Sequence, residues 1–418
     1  MKKKRLVASF IGVIILVLVV ILQYQPNNNF VLKSENNMVV SENMLTMMYE
    51  TEADSGEYQV SSDITWPQDG YVFNESLSSC ENGSTLSWDD GNKRVLMQAN
   101  TSDKCYVYFD KEPDILYLAD YVISNVYTGV DGENGLYYHD GVGSYTNASE
   151  EAGDNSYRYA GTNPNNYVCF GSDEETCPND NLYRIIGVFN DTGEYQVKLI
   201  KYDYATSTLL GTDGAYNSST TSLGDYYNGS QSTLYLYFWN SDTGRNIWSE
   251  SNLNTINLNT NYLNNIGSTW ASKIAEHTWQ VGGNMPSNIY SVSVKSTYTN
   301  EIISPLDATT FSGKVGLMYA SDYGYASSPD NWSTNLSDYA NDTNRNNNWM
   351  FMGFNEWIIS PSPDGHIPNY SYFILSEGNI SRIRVHYEVY AIRPTFYLNS
   401  DVAYISGDGS QSNPFRIA

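Results

Sequence analysis

The sequence is poor in positive charge. Its 418 residues include 22 Lys or Arg against 47 Asp or Glu, which gives a formal net charge of −25. An acidic surface of this size repels phosphate backbones and anionic lipids, so the charge argues against nucleic acid as a partner. Charged residues make up only 17% of the chain, and the rest of the polar surface must therefore come from Asn, Ser, Thr, Gly and Tyr.

The sequence also lacks the short motifs of well-known catalytic chemistry. It contains no HExxH zinc motif, no P-loop Gly-Lys pair and no Gly-x-Ser-x-Gly elbow. Carboxylates are plentiful, and two of them converging in the fold would make a glycosidase pair, but the sequence does not supply their distance. We therefore predict no enzyme activity and no catalytic residue, with an extracellular hydrolase as the alternative.

Cysteine is scarce, and all four cysteines lie beyond the first apolar run: Cys80, Cys105, Cys169 and Cys177. Their spacing favours two local disulfides, Cys80–Cys105 and Cys169–Cys177, as expected in an oxidising compartment. A metal site is the competing interpretation. Neither pair has C-x-x-C spacing and no histidine lies near them in sequence, so we predict no metal.

The N-terminus carries the clearest targeting signal. A basic cluster at residues 2–5 runs into an uncharged apolar segment at residues 6–22. As a helix this segment reaches about 26 Å, near the lower limit for a membrane span, and the basic cluster places the N-terminus in the cytoplasm. Residues 23–26 offer no small-x-small cleavage site. We predict an uncleaved single-pass anchor in the cell membrane with the rest outside; a cleaved signal peptide and a buried core helix are the alternatives.

The sequence divides into four segments. Residues 1–22 are the basic stub and anchor, and residues 23–56, rich in Asn, Glu and Ser, are predicted to be a flexible stalk. Within the stalk, a helical turn or a peripheral strand over residues 38–49 is the alternative. Residues 57–111 alternate short apolar runs with turn formers, which predicts a small disulfide-stapled β module. Residues 112–418 combine helical and strand patterns, so we predict an α+β main domain.

Local patterns within the main domain predict its elements. The predictions are a helix from Ile115 with Asp114 as its N-cap, a hairpin over 183–189 and 195–201, helices over 257–265 and 270–277, a strand over 381–389, and an edge strand over 395–398 after Pro394. Residues 323–348 show little regular structure. A loop of this length in a compact domain is usually functional or disordered.

Five short motifs follow one another in the main domain: Trp248-x-x-Ser251-x-Leu253, Leu258-Asn259-x-x-Tyr262-Leu263, Val315-Gly316-Leu317-Met318, Trp357-Ile358-Ile359-Ser360-Pro361 and Ala391-Ile392-Arg393-Pro394-Thr395-Phe396. In order and spacing they resemble an uncharacterised domain of secreted bacterial proteins. That domain is similar to the formylglycine-generating-enzyme (sulfatase-modifying factor) branch of the C-type-lectin-like folds. The resemblance covers roughly residues 115–417 and implies a C-type-lectin-like main domain.

The resemblance also bears on cofactors. The enzyme branch holds copper through cysteines near the end of its domain, and no cysteine follows Cys177, so that activity is expected to be absent. Calcium-dependent lectins of the wider fold use carboxylates and amides beside a Trp-Asn-Asp stretch. Here residues 239–242 read Trp-Asn-Ser-Asp but precede the helices, and the acidic residues 173–180 read mainly as a solvated loop. We predict no cofactor, with calcium left open.

These features predict a membrane-anchored, adhesin-like binding protein that recognises an extracellular glycan or protein. The chain has 37 Tyr with abundant Ser, Gly and Asn, a composition typical of adaptable recognition surfaces. We predict that exposed side chains around the long loop make the contacts: Asp322, Tyr323, Tyr325, Trp332 and Asn344. Arg393, by contrast, is predicted to be a buried or half-buried guanidinium that ties loops to the sheet. A hydrolase and a structural surface protein without a small ligand are the alternatives.

Overall fold

The computed structural model describes residues 44–61, 66–67, 69–98, 103–191, 193–363 and 369–418. The predicted anchor lies outside the described residues. Among those residues we find no helix with the length and hydrophobicity that a membrane span requires. The chain divides between Asp114 and Ile115 into two compact units, unit 1 before and unit 2 after this point.

Strands make up the regular structure described in unit 1: β1 (Met44–Glu50), β2 (Tyr58–Val60), β3 (Tyr71–Cys80), β4 (Thr85–Asp89), β5 (Arg94–Gln98) and β6 (Lys104–Lys111). One sheet has the order β2-β1-β6-β3, and β4 pairs with β5. On β6, Cys105, Val107 and Phe109 are buried and the residues between them are more exposed, as the pleat of a half-buried strand requires.

The stalk predicted over residues 23–56 is wrong in its last part, because residues 44–50 form β1. This strand lies between β2 and β6, and its Met47 is buried. β1 runs parallel to β6, about 60 residues further along the chain. A parallel partner at that distance leaves no hairpin turn in the sequence to reveal the pairing.

Both predicted disulfides are confirmed. Cys80–Cys105 joins the end of β3 to the start of β6 within unit 1. Cys169–Cys177 closes a short loop in unit 2.

Unit 2 is a mixture of helices and strands, and the predicted α+β class is confirmed at that level. Its strands are β7 (Leu136–Tyr138), β8 (Tyr157–Tyr159), β9 (Tyr167–Cys169), β10 (Leu182–Phe189), β11 (Gln196–Lys201), β12 (Tyr216–Thr221), β13 (Leu234–Tyr237), β14 (His277–Gln280), β15 (Thr310–Gly313), β16 (Val315–Gly316), β17 (Glu356–Ser362), β18 (Tyr370–Ile374), β19 (Ile380–Arg384), β20 (Thr395–Tyr397), β21 (Tyr404–Ser406) and β22 (Arg416–Ile417).

The helical segments of unit 2 are short. The α-helices are α1 (Leu118–Tyr121), α2 (Ser207–Leu210), α3 (Leu263–Asn265), α4 (Ser268–Ala271), α5 (Pro286–Ile289), α6 (Val294–Tyr298), α7 (Ala320–Tyr325) and α8 (Asp342–Asn346). Wider π-helical turns cover Val122–Val126, Leu253–Tyr262 and Thr299–Ile303. Tighter 3-10 turns cover Glu133–Gly135, Ala148–Glu150, Asn179–Asn181, Trp248–Glu250, Pro329–Asn331 and Leu336–Asp338.

The largest sheet has the order β16-β20-β11-β10-β8-β7, and β9 also pairs with β10. The predicted hairpin is confirmed as β10 and β11, and β10 is buried along its whole length. β20 was predicted as an edge strand, but β11 and β16 flank it. Pro394 lies just before β20, so its missing N–H removes no hydrogen bond from the ladder.

Four other local predictions are wrong in whole or in part. The strand predicted over 381–389 is shorter, because β19 ends at Arg384. The first helix begins at Leu118, with Tyr117 rather than Asp114 as its N-cap. The helix predicted over 270–277 ends at Ala271, and His277 opens strand β14. Residues 323–348 contain helical segments instead of one irregular loop.

Arg393 is buried, as predicted, and it does tie loop backbone to the sheet. Its Nε and Nη2 each donate to one carboxylate oxygen of Glu356, both at 2.8 Å. Nη2 also donates to the Met350 carbonyl at 2.7 Å. The planar guanidinium can bind the Glu356 carboxylate and the Met350 carbonyl at the same time because its donors point in fixed directions.

Candidate ligand-binding site

A cavity of about 350 Å³ opens in unit 2 between the largest sheet, strand β14 and the start of α7. Charged side chains occupy much of its wall: Asp154, Arg158, Asp191, Lys198, Glu276 and Asp322. Aromatic rings, among them those of Tyr298, Tyr319 and Tyr397, form another part. The cavity therefore combines fixed charge with ring faces.

The first buried ion pair joins β11 to α7. Lys198 Nζ lies 2.6 Å from Asp322 Oδ2, and the two side chains are 1% and 3% exposed. Asp322 Oδ2 also accepts from the backbone N–H of Tyr319 at 2.9 Å, which makes Asp322 part of a capping box. Burial lowers the pKa of Lys198, while the charge of Asp322 opposes that shift.

A second buried carboxylate positions the start of α7. Glu301 accepts from the backbone N–H groups of Ala320 and Ser321, each at 3.0 Å, and from the Ser360 hydroxyl. These contacts satisfy donors that a helix N-terminus otherwise leaves unpaired. Glu301 thereby fixes the turn that presents Asp322 to Lys198.

The second ion pair joins the buried Arg158 of β8 to Asp154, which is partly buried just before that strand. The Arg158 guanidinium donates to Asp154 and packs 4.6 Å from the Phe189 ring centre and 5.0 Å from that of Tyr325. Burial would raise the pKa of Asp154, but the Arg158 charge and hydrogen bonds from Ser156 outweigh burial and hold that pKa well below its usual range.

The two ion pairs form one network, because Arg158 Nη1 lies 3.9 Å from Asp322 Oδ1. Within this network of Asp154, Arg158, Asp322 and Lys198, two positive charges face two negative charges. The network is thus neutral overall, and its members hold each other in place.

Two further polar groups at the cavity are less constrained. Asp191 lies in the β10–β11 turn, with 51% of its side chain exposed, and its Oδ2 is 4.0 Å from Nε2 of His277. Partial burial raises the pKa of Asp191 against the opposing charges of Lys198 and Arg158. Neither group has a hydrogen-bond partner among the described residues, and the Nδ1 atom of His277 is buried.

The environment of His277 keeps it neutral. Its ring stacks on Tyr397 with centroids 3.8 Å apart, and 8% of the residue is exposed. Burial, together with the positive charge of Lys198, lowers the pKa of His277 to about 4. At neutral pH this imidazole therefore adds no charge to the cavity.

Only part of the predicted contact set lies at this cavity. Asp322 lines it, but the exposure assumed for the set is wrong, because all five side chains are buried. Tyr323, Tyr325 and Trp332 each donate to a backbone carbonyl, at 2.6, 2.8 and 2.9 Å respectively. Asn344 donates to the Asp338 carbonyl. The polar ends of these side chains find partners inside the protein, and so the rings can be buried.

Sequence reasoning missed most of the cavity residues. One signal was present: Lys198 lies between the apolar residues Val197 and Leu199, and a cation buried there needs a partner. The spacing along the chain could not reveal that partner, because Asp322 lies 124 residues away.

One group of potential metal ligands converges within the described part of the chain: Cys80, Asp103 and Cys105. Its two sulfurs form the disulfide, and Asp103 accepts from the backbone N–H groups of Asn82 and Ser84. A thiolate is what binds a metal, so this donor set does not fit one.

No protein-family model, no curated protein and no solved structure matches this chain.

Acidification is expected to destabilise unit 2 through His277. Its pKa is about 4 in the folded protein and about 6.5 when unfolded. Between these values the unfolded chain binds more protons, so stability falls as the pH drops, by roughly 2 kcal/mol between pH 7 and pH 5. Urea unfolding of the full chain, followed by tryptophan fluorescence, measures this because seven of the nine tryptophans lie in unit 2.

The His277→Gln variant is the control for this prediction. It cannot gain a proton, so its stability should depend less on pH than that of the parent protein. Part of the dependence will remain, because burial and the Arg158 charge also lower the pKa of His139. Equal slopes in the parent and His277→Gln would contradict the assignment to His277.

Proposed function

We propose that this protein is a membrane-anchored extracellular binding protein, and that unit 2 recognises a unit of a glycan in the cavity described above. The anchor at residues 6–22 and the C-type-lectin-like fold implied by the five sequence motifs belong to this proposal. The observation that carries it is a cavity whose buried charges are already paired, beside two polar groups that have no hydrogen-bond partner among the described residues.

The size of the cavity supports a small ligand. Pockets for small molecules span roughly 300–1,000 Å³, and about 350 Å³ lies at the lower end. One or two sugar rings are of this order. A protein ligand would instead need a broad surface of about 800 Å² on each partner.

The wall chemistry supports a hydroxylated ligand. Thr278, Gln280 and Ser321 line the cavity with short polar groups that can exchange hydrogen bonds with hydroxyls. Tyrosine rings beside them offer faces for the apolar side of a sugar ring. Because the ion pairs of the charge network already fix its side chains in place, the cavity wall requires little reordering when a ligand binds.

A blocking substitution tests the assignment of the cavity. Thr278 is exposed on β14 and lines the cavity, so Thr278→Trp places bulk there without touching the buried charges. The matched control is Thr220→Trp, at another exposed threonine, on β12, that is not part of the cavity wall. We expect the full chain to bind members of a glycan panel, Thr278→Trp to lose at least about tenfold in affinity, and Thr220→Trp to keep it.

Two results would reject the proposal. One is a panel in which the full chain binds no glycan at millimolar concentration. The other is a bound glycan whose affinity is the same in Thr278→Trp and in the parent protein.

A hydrolase remains a second candidate for one specific reason. Asp154 and Asp191 line the same cavity, and their pKa values are shifted in opposite directions, as in acid and base pairs of glycosidases. Asp154, however, is held by Arg158 and accepts from the Tyr298 hydroxyl at 2.9 Å, which leaves it poorly placed to act on a substrate. Turnover of a polysaccharide that Asp191→Asn abolishes would favour the hydrolase over the binding protein.

A further inference from the structure

We propose that the cavity selects a protonated primary amine on its sugar, and that the ammonium group binds between Asp191 and His277. The ligand class is therefore an amino sugar with a free amine. This inference rests on the proposed function, since it specifies the ligand chemistry of the same cavity.

The charge of the cavity favours a cation. Both positive side chains, Arg158 and Lys198, are already paired with carboxylates. Asp191 and Glu276 are the remaining charged groups of the wall, and both are negative. With His277 neutral, the space open to a ligand has a net negative potential, which attracts an ammonium group and repels carboxylates and phosphates.

The geometry of Asp191 and His277 suits one ammonium nitrogen. Two N–H bonds at a tetrahedral angle, each reaching an acceptor at about 2.9 Å, require acceptors about 4.7 Å apart. Asp191 Oδ2 and His277 Nε2 are 4.0 Å apart, and the exposed Asp191 carboxylate can move outward. An ammonium donor at this position selects the neutral tautomer of His277 that carries its proton on Nδ1, and that tautomer presents Nε2 as an acceptor.

The state of His277 is a separate reason to expect a ligand here. This side chain is more than nine-tenths buried, lines the cavity and finds no hydrogen-bond partner among the described residues. Nδ1 is the buried ring nitrogen, so a ligand donor can reach the imidazole only at Nε2, the nitrogen that faces Asp191.

The aromatic walls already hold an ammonium group of the protein itself. Lys198 Nζ lies 4.6 Å from the Tyr319 ring centre and 5.2 Å from that of Tyr397. Ring faces carry negative charge density and stabilise cations at such distances. The same rings extend into the cavity and offer a similar environment to a ligand amine.

Three disaccharides that differ at one substituent test the amine. We would titrate the full chain by calorimetry with the β-1,4-linked dimers of glucosamine, N-acetylglucosamine and glucose, at a mildly acidic pH where the amine is protonated and His277 is neutral. The glucosamine dimer should bind at least tenfold more tightly than the other two. A lysine-containing peptide and its acetylated form, titrated in the same way, test whether the cavity instead binds an amine carried by a protein.

A pair of matched variants then locates the contact. Asp191→Asn and Glu276→Gln each remove one negative charge from the wall, so they change its overall charge equally. Glu276 already accepts from the Ser312 hydroxyl at 3.0 Å and is not part of the proposed contact. We expect Asp191→Asn to abolish the preference for the amine and Glu276→Gln to preserve most of it.

The outcomes separate this inference from the proposed function. If the acetylated or hydroxyl dimer binds as tightly as the amine, the amine inference is wrong and the glycan proposal stands. Equal losses in Asp191→Asn and Glu276→Gln would reject the contact, and tighter binding of the lysine peptide would reject the sugar as the source. If none of the dimers binds and the wider glycan panel is also negative, both proposals fall.

Discussion

Replacing Arg393 with methionine is expected to lower the free energy of unfolding by about 3–5 kcal/mol. Methionine is an apolar side chain of similar length, so the substitution preserves most of the packing but leaves Glu356 buried without its partner. Burial already raises the pKa of Glu356, and Arg393 is the main opposing influence. The Met350 carbonyl also loses its donor. Urea unfolding of the full chain, followed by tryptophan fluorescence, measures the loss.

Two controls separate burial of charge from loss of side-chain volume. The double variant Arg393→Met/Glu356→Leu removes both charges, and we expect it to recover a large part of the stability. Arg245→Met removes an arginine whose pair with Glu250 is exposed at both ends, and should cost under about 1 kcal/mol. Similar losses in Arg393→Met and Arg245→Met would contradict the role assigned to the buried pair.

The Asp322→Asn variant is expected to show the second large effect, a loss of about 3–5 kcal/mol at neutral pH. Asparagine has nearly the same shape as aspartate, so the change removes the charge that faces Lys198 while leaving the packing of α7 almost intact. Lys198 is then a buried cation without its partner, and the positive charge of Arg158 repels it.

The pH dependence of this variant provides a sharper test. Without Asp322 the pKa of Lys198 should fall further below its usual value, since burial and Arg158 both oppose its charge. Between that lowered pKa and the ordinary one, the unfolded chain binds more protons than the folded chain, so stability rises with pH. The deficit of Asp322→Asn should therefore shrink from pH 7 towards pH 9.5.

Asp330→Asn is the matched control, because Asp330 is an exposed aspartate in the same region of the chain. Its stability should stay within about 0.5 kcal/mol of the parent protein at both pH values. A deficit of Asp322→Asn that is small, or that is constant with pH, would show that Asp322 does not hold a charged Lys198.

Features that depend on neighbouring residues were predictable. The β10–β11 hairpin follows from two apolar runs joined by a turn-forming tetrapeptide, and each disulfide joins cysteines close in sequence. The burial of Arg393 was also predictable, because an arginine within an apolar stretch has few solvated positions open to it.

Features that depend on contacts between residues distant in sequence were not predictable. β1 pairs in parallel with β6, and the charge network joins Lys198 to an aspartate in a different helix. The polar composition of residues 323–348 suggested an exposed loop, but a buried amide or hydroxyl is stable when it has a partner. Asn348, for example, donates to the Tyr323 carbonyl at 2.8 Å.

The sequence by itself determined the acidic charge, the α+β class, the disulfide pairs and the central hairpin of this protein, because each follows from composition or from contacts between near neighbours. Only the tertiary structure decided where the cavity lies and which groups in it remain unpaired. The cavity wall is drawn from residues between Asp154 and Tyr397, and their distances are set by packing of the whole of unit 2. The same packing buried the tyrosines expected at the surface and brought Asp191 and His277 together at the cavity.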